Sequence, residues 1–420
     1  MERKILIRFG DLMLKGRNQK TFVNQMVENI KYKFKDMHVK FQKQHDRMYI
    51  SYMVKDEQCI EEKLLEISGI ASYSKVLEAE LNIEDIVLKS CMLIDQTCDK
   101  DIPTRFKIET KRANKRFPLT SLETTQKIAP LILKQSNAKL IVDVSHPEDI
   151  LTVEIRNESV YIFIKKHKGL KGYPAFSGDK ALLLISGGID SPVAAFYALR
   201  QGIEVELFHF ESSPLTPLES AQKVIDLSKV LSKYTPKERI KLHFVPFTEI
   251  HQSILSNVPE PYTITIMRCM MYQMAERFAL NNGMHALVNG ESVGQVASQT
   301  LQSLRAVEAV TRLPIIRPLI TAEKEDIIQA AKNIKTFDIS IRPFNDCCSI
   351  YVPKSPATKP RDYIAKRYES LAPFDTLMEN SLQQVMSIDI TPNLDLELSF
   401  YGFEVSTSLS SYLKEKSEVI

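Results

Sequence analysis

Ser186, Gly187, Gly188, Ile189, Asp190 and Ser191 stand directly after the apolar run Leu182 to Ile185. Two glycines at the end of a buried strand let the backbone come close to a ligand and turn its N–H groups inward. A helical pattern begins at Ser191, so the positive end of a helix dipole would point at the same spot. Strand, glycine turn and helix together make an anion site, and phosphate is its natural guest. The spacing excludes two commoner phosphate motifs, because no Lys-Ser/Thr follows a GxxxxG and no GxGxxG is present.

A second chemical feature is the adjacent pair Cys347 and Cys348 in FNDCCSIYV, residues 344–352. Pro343, Asn345 and Asp346 predict an exposed loop ahead of a strand, where a thiolate can act as nucleophile and carry a second sulfur as a persulfide. The competing reading is two inert small residues in a turn. The six cysteines, at 59, 91, 98, 269, 347 and 348, form no CxxC and no repeated spacing. Neither a disulfide frame nor a zinc site is expected, and reduced thiols in a cytosol are the default.

The elements around the glycine turn alternate between strand and helix. Helix is predicted over Ser191–Arg200, strand over Glu204–Phe210, helix over Leu218–Leu231, strand over Ile240–Pro246, helix over Thr263–Leu280 and strand over His285–Asn289. That alternation predicts a doubly wound, mostly parallel sheet, whose ligands bind at the carboxyl edge of the strands. His209 and Phe210 fall at that edge, and Phe210 either stacks on a base or belongs to the core. In the Thr263–Leu280 helix, Arg268 lies off the stripe of Ile266, Met270, Met274 and Phe278. It either answers a phosphate or forms a surface salt bridge. The methionine-rich stripe is either core or a homodimer face. Gly290 ends the next strand, and ESVGQVASQT follows with Gln295 and Gln299.

The front of the chain reads differently. Lys4–Phe9, a helix with Phe22, Met26, Ile30 and Phe34 in one stripe, and a hairpin over His38–Lys43 and Arg47–Val54 give β-α-β-β, the start of a ferredoxin-like unit. A helix over Glu57–Ile67 and a strand over Ala71–Leu77 follow. A second unit has a helix at Ile83–Thr97, a strand at Pro103–Lys111, a helix at Ser121–Gln135, a strand at Lys139–Asp143 and a closing hairpin at Leu151–Arg156 and Val160–Lys165.

At 420 residues with a net charge of +3, the chain has room for about three domains. Its charge is uneven. Residues 1–47 hold 12 Lys/Arg against 5 Asp/Glu, residues 48–100 hold 5 against 11, and residues 101–180 hold 15 against 9. Two basic blocks suit either a polyanion or solvated faces. Lys111, Arg112, Lys115 and Arg116 crowd beside Phe117 on a predicted loop, which suits RNA phosphates with a stacked base, or a solvated loop whose phenylalanine turns inward. Lys165, Lys166, Lys168 and Lys171 lead into a Gly/Pro-containing linker. The charged start MERKILIRFG does not resemble a signal peptide, and no apolar run approaches the roughly 18 residues that span a bilayer. A soluble cytoplasmic protein is expected.

SGGxDS after LLLI resembles the PP-loop ATP pyrophosphatases. KRxNKxFP and the exit IxxHKGLKG resemble a THUMP domain. A ferredoxin-like unit at 1–60, THUMP at 61–165, a linker at 166–176 and a PP-loop domain at 177–420 is the order of the tRNA 4-thiouridine synthetase family. The resemblance implies ATP-dependent thiolation of uridine 8 in tRNA with Mg²⁺, and Lys111, Arg112, Lys115, Arg116, Lys165, Lys166 and Lys168 as RNA contacts. It implies a nucleotide pocket of Leu183, Leu184, His209, Phe210, Arg268, Gly290 and Gln299 around Ser186, Gly187, Gly188, Asp190 and Ser191. In that family an aspartate of the loop and a lysine after a proline–leucine turn serve adenylation, and they match Asp190 and Lys324. Asp190 would help hold Mg²⁺ and Lys324 would neutralise charge at the α-phosphate. A helix cap and an exposed first-turn lysine are the plainer alternatives.

The same resemblance places the sulfur-carrying thiol at Cys348, with Cys347 as the alternative, and a cysteine desulfurase as donor. Longer family members carry persulfide on a C-terminal rhodanese domain, for which residues 353–420 are too short. Sulfur supply to a thiamine sulfur-carrier protein is recorded for relatives. Two rivals stand beside this reading: a PP-loop ligase with another acceptor, and a non-catalytic RNA-binding protein that senses ATP.

Overall fold

The computed structural model describes residues 2–344, 353 and 355–418. It divides into two compact units, one ending at Gly172 and one beginning at Tyr173, so the change falls inside the expected linker.

The first unit is built on one nine-stranded sheet. β1 (Glu2–Arg8), α1 (Gln19–Lys33), β2 (Lys40–Lys43) and β3 (Arg47–Met53) follow the expected β-α-β-β pattern. Met26, Ile30 and Phe34 of the helix stripe are buried, while Phe22 is half-buried. α2 (Glu57–Leu64) runs through residue 60, the expected domain edge, and β4 (Ser72–Ala79) follows. Ser72 to Val76 of β4 pair antiparallel with β1, and Leu77 to Ala79 pair with a later strand, β8. One strand therefore serves both small domains. The second contains α3 (Ile83–Thr97), β5 (Thr104–Arg112), α4 (Ser121–Gln135), β6 (Leu140–Val142), β7 (Asp149–Ile155), β8 (Val160–Phe163) and a short β9 (His167–Lys168) against β4.

Side chains fasten the starts of these helices. Thr120 and Glu123 form a reciprocal capping box on α4, and Asn82 accepts the Asp85 N–H on α3. Phe117 is 6% exposed and belongs to the core between α3, α4 and the sheet. The expected stacking aromatic is thus a core residue, because burying its ring outweighs leaving it on a basic loop.

The second unit is a six-stranded sheet in the order β14-β13-β10-β11-β12-β15. Its strands are β10 (Lys180–Leu184), β11 (Glu204–Glu211), β12 (Ile240–Pro246), β13 (Ala286–Val288), β14 (Ile315–Ile316) and β15 (Met386–Ile390). All pairings are parallel except β12 with β15. Helices α5 (Asp190–Arg200), α6 (Leu218–Ser232), α7 (Thr248–Asn257), α8 (Thr263–Asn281), α9 (Leu301–Glu308), α10 (Lys324–Asn333) and α11 (Phe337–Ser340) join them. α7, α9, α11, β14 and β15 are not among the elements expected from the sequence. α7 buries only Ile250, His251 and Ile254, too short a stripe for periodicity to detect.

Met267, Met270, Met271 and Met274 of α8 all lie in the core beside Phe208 and Phe247. The methionine-rich face is therefore core, and it offers no support for a dimer.

The edge strand β15 is tied in by a polar cluster around the buried His243 and Glu206. Ser387 Oγ lies 2.7 Å from His243 Nδ1, His243 Nε2–H donates to Glu206 at 2.9 Å, and Lys180 donates to Glu206 at 2.8 Å. Burial opposes ionisation of Glu206, but the bonds from His243 and Lys180 outweigh it and pull its carboxyl down from 4.5 to about 2. A depressed carboxyl contributes stability above its unfolded value and loses it as pH falls toward the folded one. The second unit is expected to lose on the order of 3 kcal/mol as pH falls from about 4.5 to 2. Glu206→Gln should flatten denaturation midpoints over that window, and a wild-type profile that is already flat there would contradict it.

Candidate active site

The loop after β10 folds on its own hydroxyls. Ser191 Oγ accepts the Ser186 N–H at 2.9 Å and donates to the Ser186 carbonyl at 3.1 Å, and the two hydroxyls lie 3.1 Å apart. Gly188 N–H donates weakly to Ser186 Oγ at 3.4 Å. α5 then starts at Asp190 with no side-chain cap, and Pro192 sits in its first turn. Asp190 is therefore not a helix cap.

Its carboxylate instead faces across the site. Lys324 Nζ donates to Asp190 Oδ1 at 2.6 Å, and Gln295 Nε2 donates to Oδ2 at 2.9 Å. Lys324 opens α10 and remains 42% exposed in its side chain, so the pair is accessible to a ligand. Two residues separated by 134 positions thus share one hydrogen bond at the phosphate loop. Among the described residues no group of three or more His, Cys, Asp or Glu side chains is arranged to hold a metal. A single carboxylate beside an open loop fits Mg²⁺ that arrives on nucleotide phosphates, since that ion usually keeps only one or two protein carboxylates.

Gly290 supplies a steric reason for the architecture. A Cβ there would lie 2.7 Å from the Asp190 carbonyl carbon and 2.8 Å from the Ser191 nitrogen. Only glycine lets the end of β13 meet the start of α5.

The other expected pocket residues divide. Leu183 is fully buried in β10 and Leu184 is half-buried at its end. His209 is buried, and its Nδ1–H donates to the Ile185 carbonyl at 3.1 Å, which supports the loop from beneath. Phe210 is 6% exposed, with Phe208 and Phe247 both 5.2 Å away in edge-on contact. Its ring is packed into the core instead of lying open for a base. Arg268 donates to Glu291 and to the Ser298 carbonyl. Gln299 N–H bonds the Val296 carbonyl at 2.9 Å, and its Oε1 is buried without a partner.

Several contributors carried no sequence signal of a role: Gln295, Glu291, Ser340 and Lys223. Ser340 Oγ donates to the Gly188 carbonyl at 3.3 Å. Lys223 of α6 is 4% exposed and donates to the Arg342 and Phe344 carbonyls at 3.1 and 3.2 Å, holding the chain just ahead of residue 345. Cys347 and Cys348 lie outside the described residues. Of the described cysteines, Cys91, Cys98 and Cys269 are buried, and burial pushes each thiol up.

In the first unit, Lys115, Arg116, Lys165, Lys166 and Lys168 are exposed. Lys111 is exposed too, 3.4 Å from Glu109. Arg112 differs: its guanidinium donates to the Phe117 and Leu119 carbonyls at 3.2 and 3.3 Å, so it braces the loop. Lys166, Lys168 and Lys171 line a cavity of about 390 Å³ with Phe9, Leu12 and Ser72. No helix among the described residues is long and apolar enough to cross a membrane.

Comparison with known proteins gives these arrangements a context. Residues 4–74 match the ThiI ferredoxin-like domain, residues 82–165 the THUMP domain, and residues 176–373 the family described as thiamine biosynthesis protein (ThiI). A probable tRNA sulfurtransferase of Acholeplasma laidlawii is 50% identical over 415 residues, covering 99% of this chain and 100% of the relative. The chain belongs to the tRNA sulfurtransferase family. A second member, from Halothermothrix orenii, is 43% identical over 397 residues, covering 93% of this chain and 99% of its own. Among solved structures, a 4-thiouridine synthetase–RNA complex with bound ATP is 34% identical with a TM-score of 0.84, covering 93% of this chain and 100% of that one. The ferredoxin-like, THUMP and PP-loop architecture expected from the sequence is that of the sulfurtransferases.

Gly290→Ala tests the close approach in this sulfurtransferase fold. Overpacking of backbone against backbone is expected to destabilise the catalytic unit by about 1–3 kcal/mol. It should also reduce turnover at least tenfold, and unchanged denaturation with full activity would contradict the contact.

Proposed function

We propose that this chain uses ATP to thiolate tRNA, adenylating uridine 8 and replacing its O4 by sulfur to give 4-thiouridine. The observation that carries this reading is the meeting of Asp190 and Lys324 beside the glycine loop, supported by family membership and by a solved relative that holds both RNA and ATP. Uridine O4 attacks the α-phosphorus, the bond to the β-phosphate oxygen breaks, and pyrophosphate leaves. Mg²⁺ supplies charge neutralisation on the phosphates when bound. Asp190 orients Lys324 and would help hold Mg²⁺ on the phosphates, while Lys324 offsets negative charge growing at the α-phosphate.

A persulfide on Cys348 then provides the sulfur. Its terminal sulfur attacks C4, AMP departs, and the second thiol, at Cys347 or elsewhere, attacks the Cys348 sulfur. That step leaves sulfur on the base and a disulfide that an external dithiol must reduce. Raised thiols at Cys91, Cys98 and Cys269 make those three poor nucleophiles, which leaves the exposed Cys59 of the first unit and the adjacent pair, and the resemblance to the family favours the pair. A cysteine desulfurase is the donor this scheme needs.

Residues 1–60 and 61–165 are joined through β4 and, with the linker at 166–176, hold tRNA through exposed lysines and arginines such as Lys115, Arg116, Lys165, Lys166 and Lys168, while residues 177–420 perform the chemistry. A tRNA substrate places the work in the cytoplasm. A sulfur supply to the thiazole of thiamine is a second outlet, which the matched family's description as a thiamine biosynthesis protein supports.

The test is mass spectrometry of tRNA nucleosides after incubation with unmodified tRNA, Mg²⁺-ATP and either sulfide or a desulfurase with cysteine. Wild-type protein should form 4-thiouridine with both donors. Cys348→Ala should keep the sulfide-driven product and lose the desulfurase-driven one, while Asp190→Ala and Lys324→Ala lose both by about 10²-fold or more. ATP consumption without thiolated tRNA would point to another acceptor, and an Asp190→Ala variant with full product would refute the assigned adenylation site.

A further inference from the structure

Behind the phosphate loop lies a buried ion network that no expectation anticipated. Glu291 directly follows Gly290, and its side chain is 12% exposed. Four donors converge on its two oxygens. Arg268 reaches Oε1, while Arg317 Nε at 2.9 Å, Tyr272 Oη at 3.2 Å and Asn289 Nδ2 at 2.8 Å reach Oε2. Arg317 also pairs with the half-exposed Glu308 at 2.9 Å.

Charge and geometry decide what such a cluster does. Two carboxylates face two guanidiniums: Glu308 answers Arg317 at its half-exposed end, and Glu291 divides its charge between Arg317 and Arg268, which sets the direction of Arg268. A carboxylate accepts only, which suits four donors. A glutamine amide would turn N–H groups toward at least one of them. The position of Glu291 is in turn indexed to the loop, because Gly290 packs on the backbone of Asp190 and Ser191. The Ser298 carbonyl, next to Gln299, takes the other end of the Arg268 guanidinium.

We propose that Glu291 is a positioning residue for ATP: it clamps Arg268 beside the phosphate loop, with Arg317, itself held by Glu308, fixing the Glu291 carboxylate in place. The proposal rests on the reading of Arg268 as a nucleotide ligand. Glu291 itself touches no substrate, so its effect must pass through Arg268.

The decisive experiment is a double-mutant cycle on sulfide-driven thiolation at saturating tRNA, with ATP varied. Arg268→Met alone should raise KM for ATP at least tenfold. Glu291→Gln alone should raise it five- to tenfold with kcat changed less than threefold, and the double variant should be no worse than Arg268→Met. Multiplication of the two effects, or no effect of Glu291→Gln beside a strong Arg268→Met effect, overturns the proposal. An Arg268→Met variant with normal KM overturns the nucleotide role of Arg268 itself, a separate result. Should Glu291→Gln fail to fold, Glu291→Asp keeps the charge but cannot span both guanidiniums. It should raise KM about threefold with the same lack of additivity.

Discussion

The Asp190 carboxylate is the point on which the catalytic unit depends. It stands at the first residue of α5, directly after a loop of two glycines, and takes one hydrogen bond from α10 and one from the segment after β13. Three chain segments far apart in sequence therefore register on a single side chain. The short distance to Lys324 reflects opposite charges at the rim of a parallel sheet, where helix dipoles already favour an anion. Because the lysine stays partly exposed, the pair is better suited to reorganising around a ligand than to holding the fold together.

Stability comes from elsewhere. Beneath the loop, Phe208, Phe210, Phe247 and the methionines of α8 make a dense apolar layer that fastens the sheet. Buried polar groups then specify details that apolar packing leaves open. His209 props Ile185, Glu291 gathers Arg268 and Arg317, and Lys223 seizes the carbonyls of Arg342 and Phe344. Each of these would be expensive to bury alone, and each is satisfied by partners from other elements.

The first unit solves a different problem. Sharing β4 between two small domains joins their sheets through backbone hydrogen bonds, which are stronger specifiers of mutual position than a surface contact. Arg47 and Glu154, both largely buried, add an ion pair between β3 and β7. Basic side chains such as Lys115 and Lys166 stay in solvent, where they are available to a polyanion.

Much of this was legible in the chain. α3 and α4 run over the residues expected from the sequence, because the stripes and caps that set a helix's extent are local. The glycine turn after LLLI marked an anion site, since two glycines between a buried strand and a helix let the backbone approach a phosphate. What the sequence left open was every choice between burial and exposure of one residue. Phe117 and Phe210 each had a stacking role and a core role available, and packing against distant helices settled both as core. Likewise, nothing local marks Glu291, Gln295 or Lys223, whose partners lie from a few to more than a hundred positions away. Composition and spacing determined the fold class and the phosphate loop, because those depend on neighbours in the chain. Tertiary structure alone decided which charges meet, because a hydrogen bond depends on distance in space and not on separation along the chain.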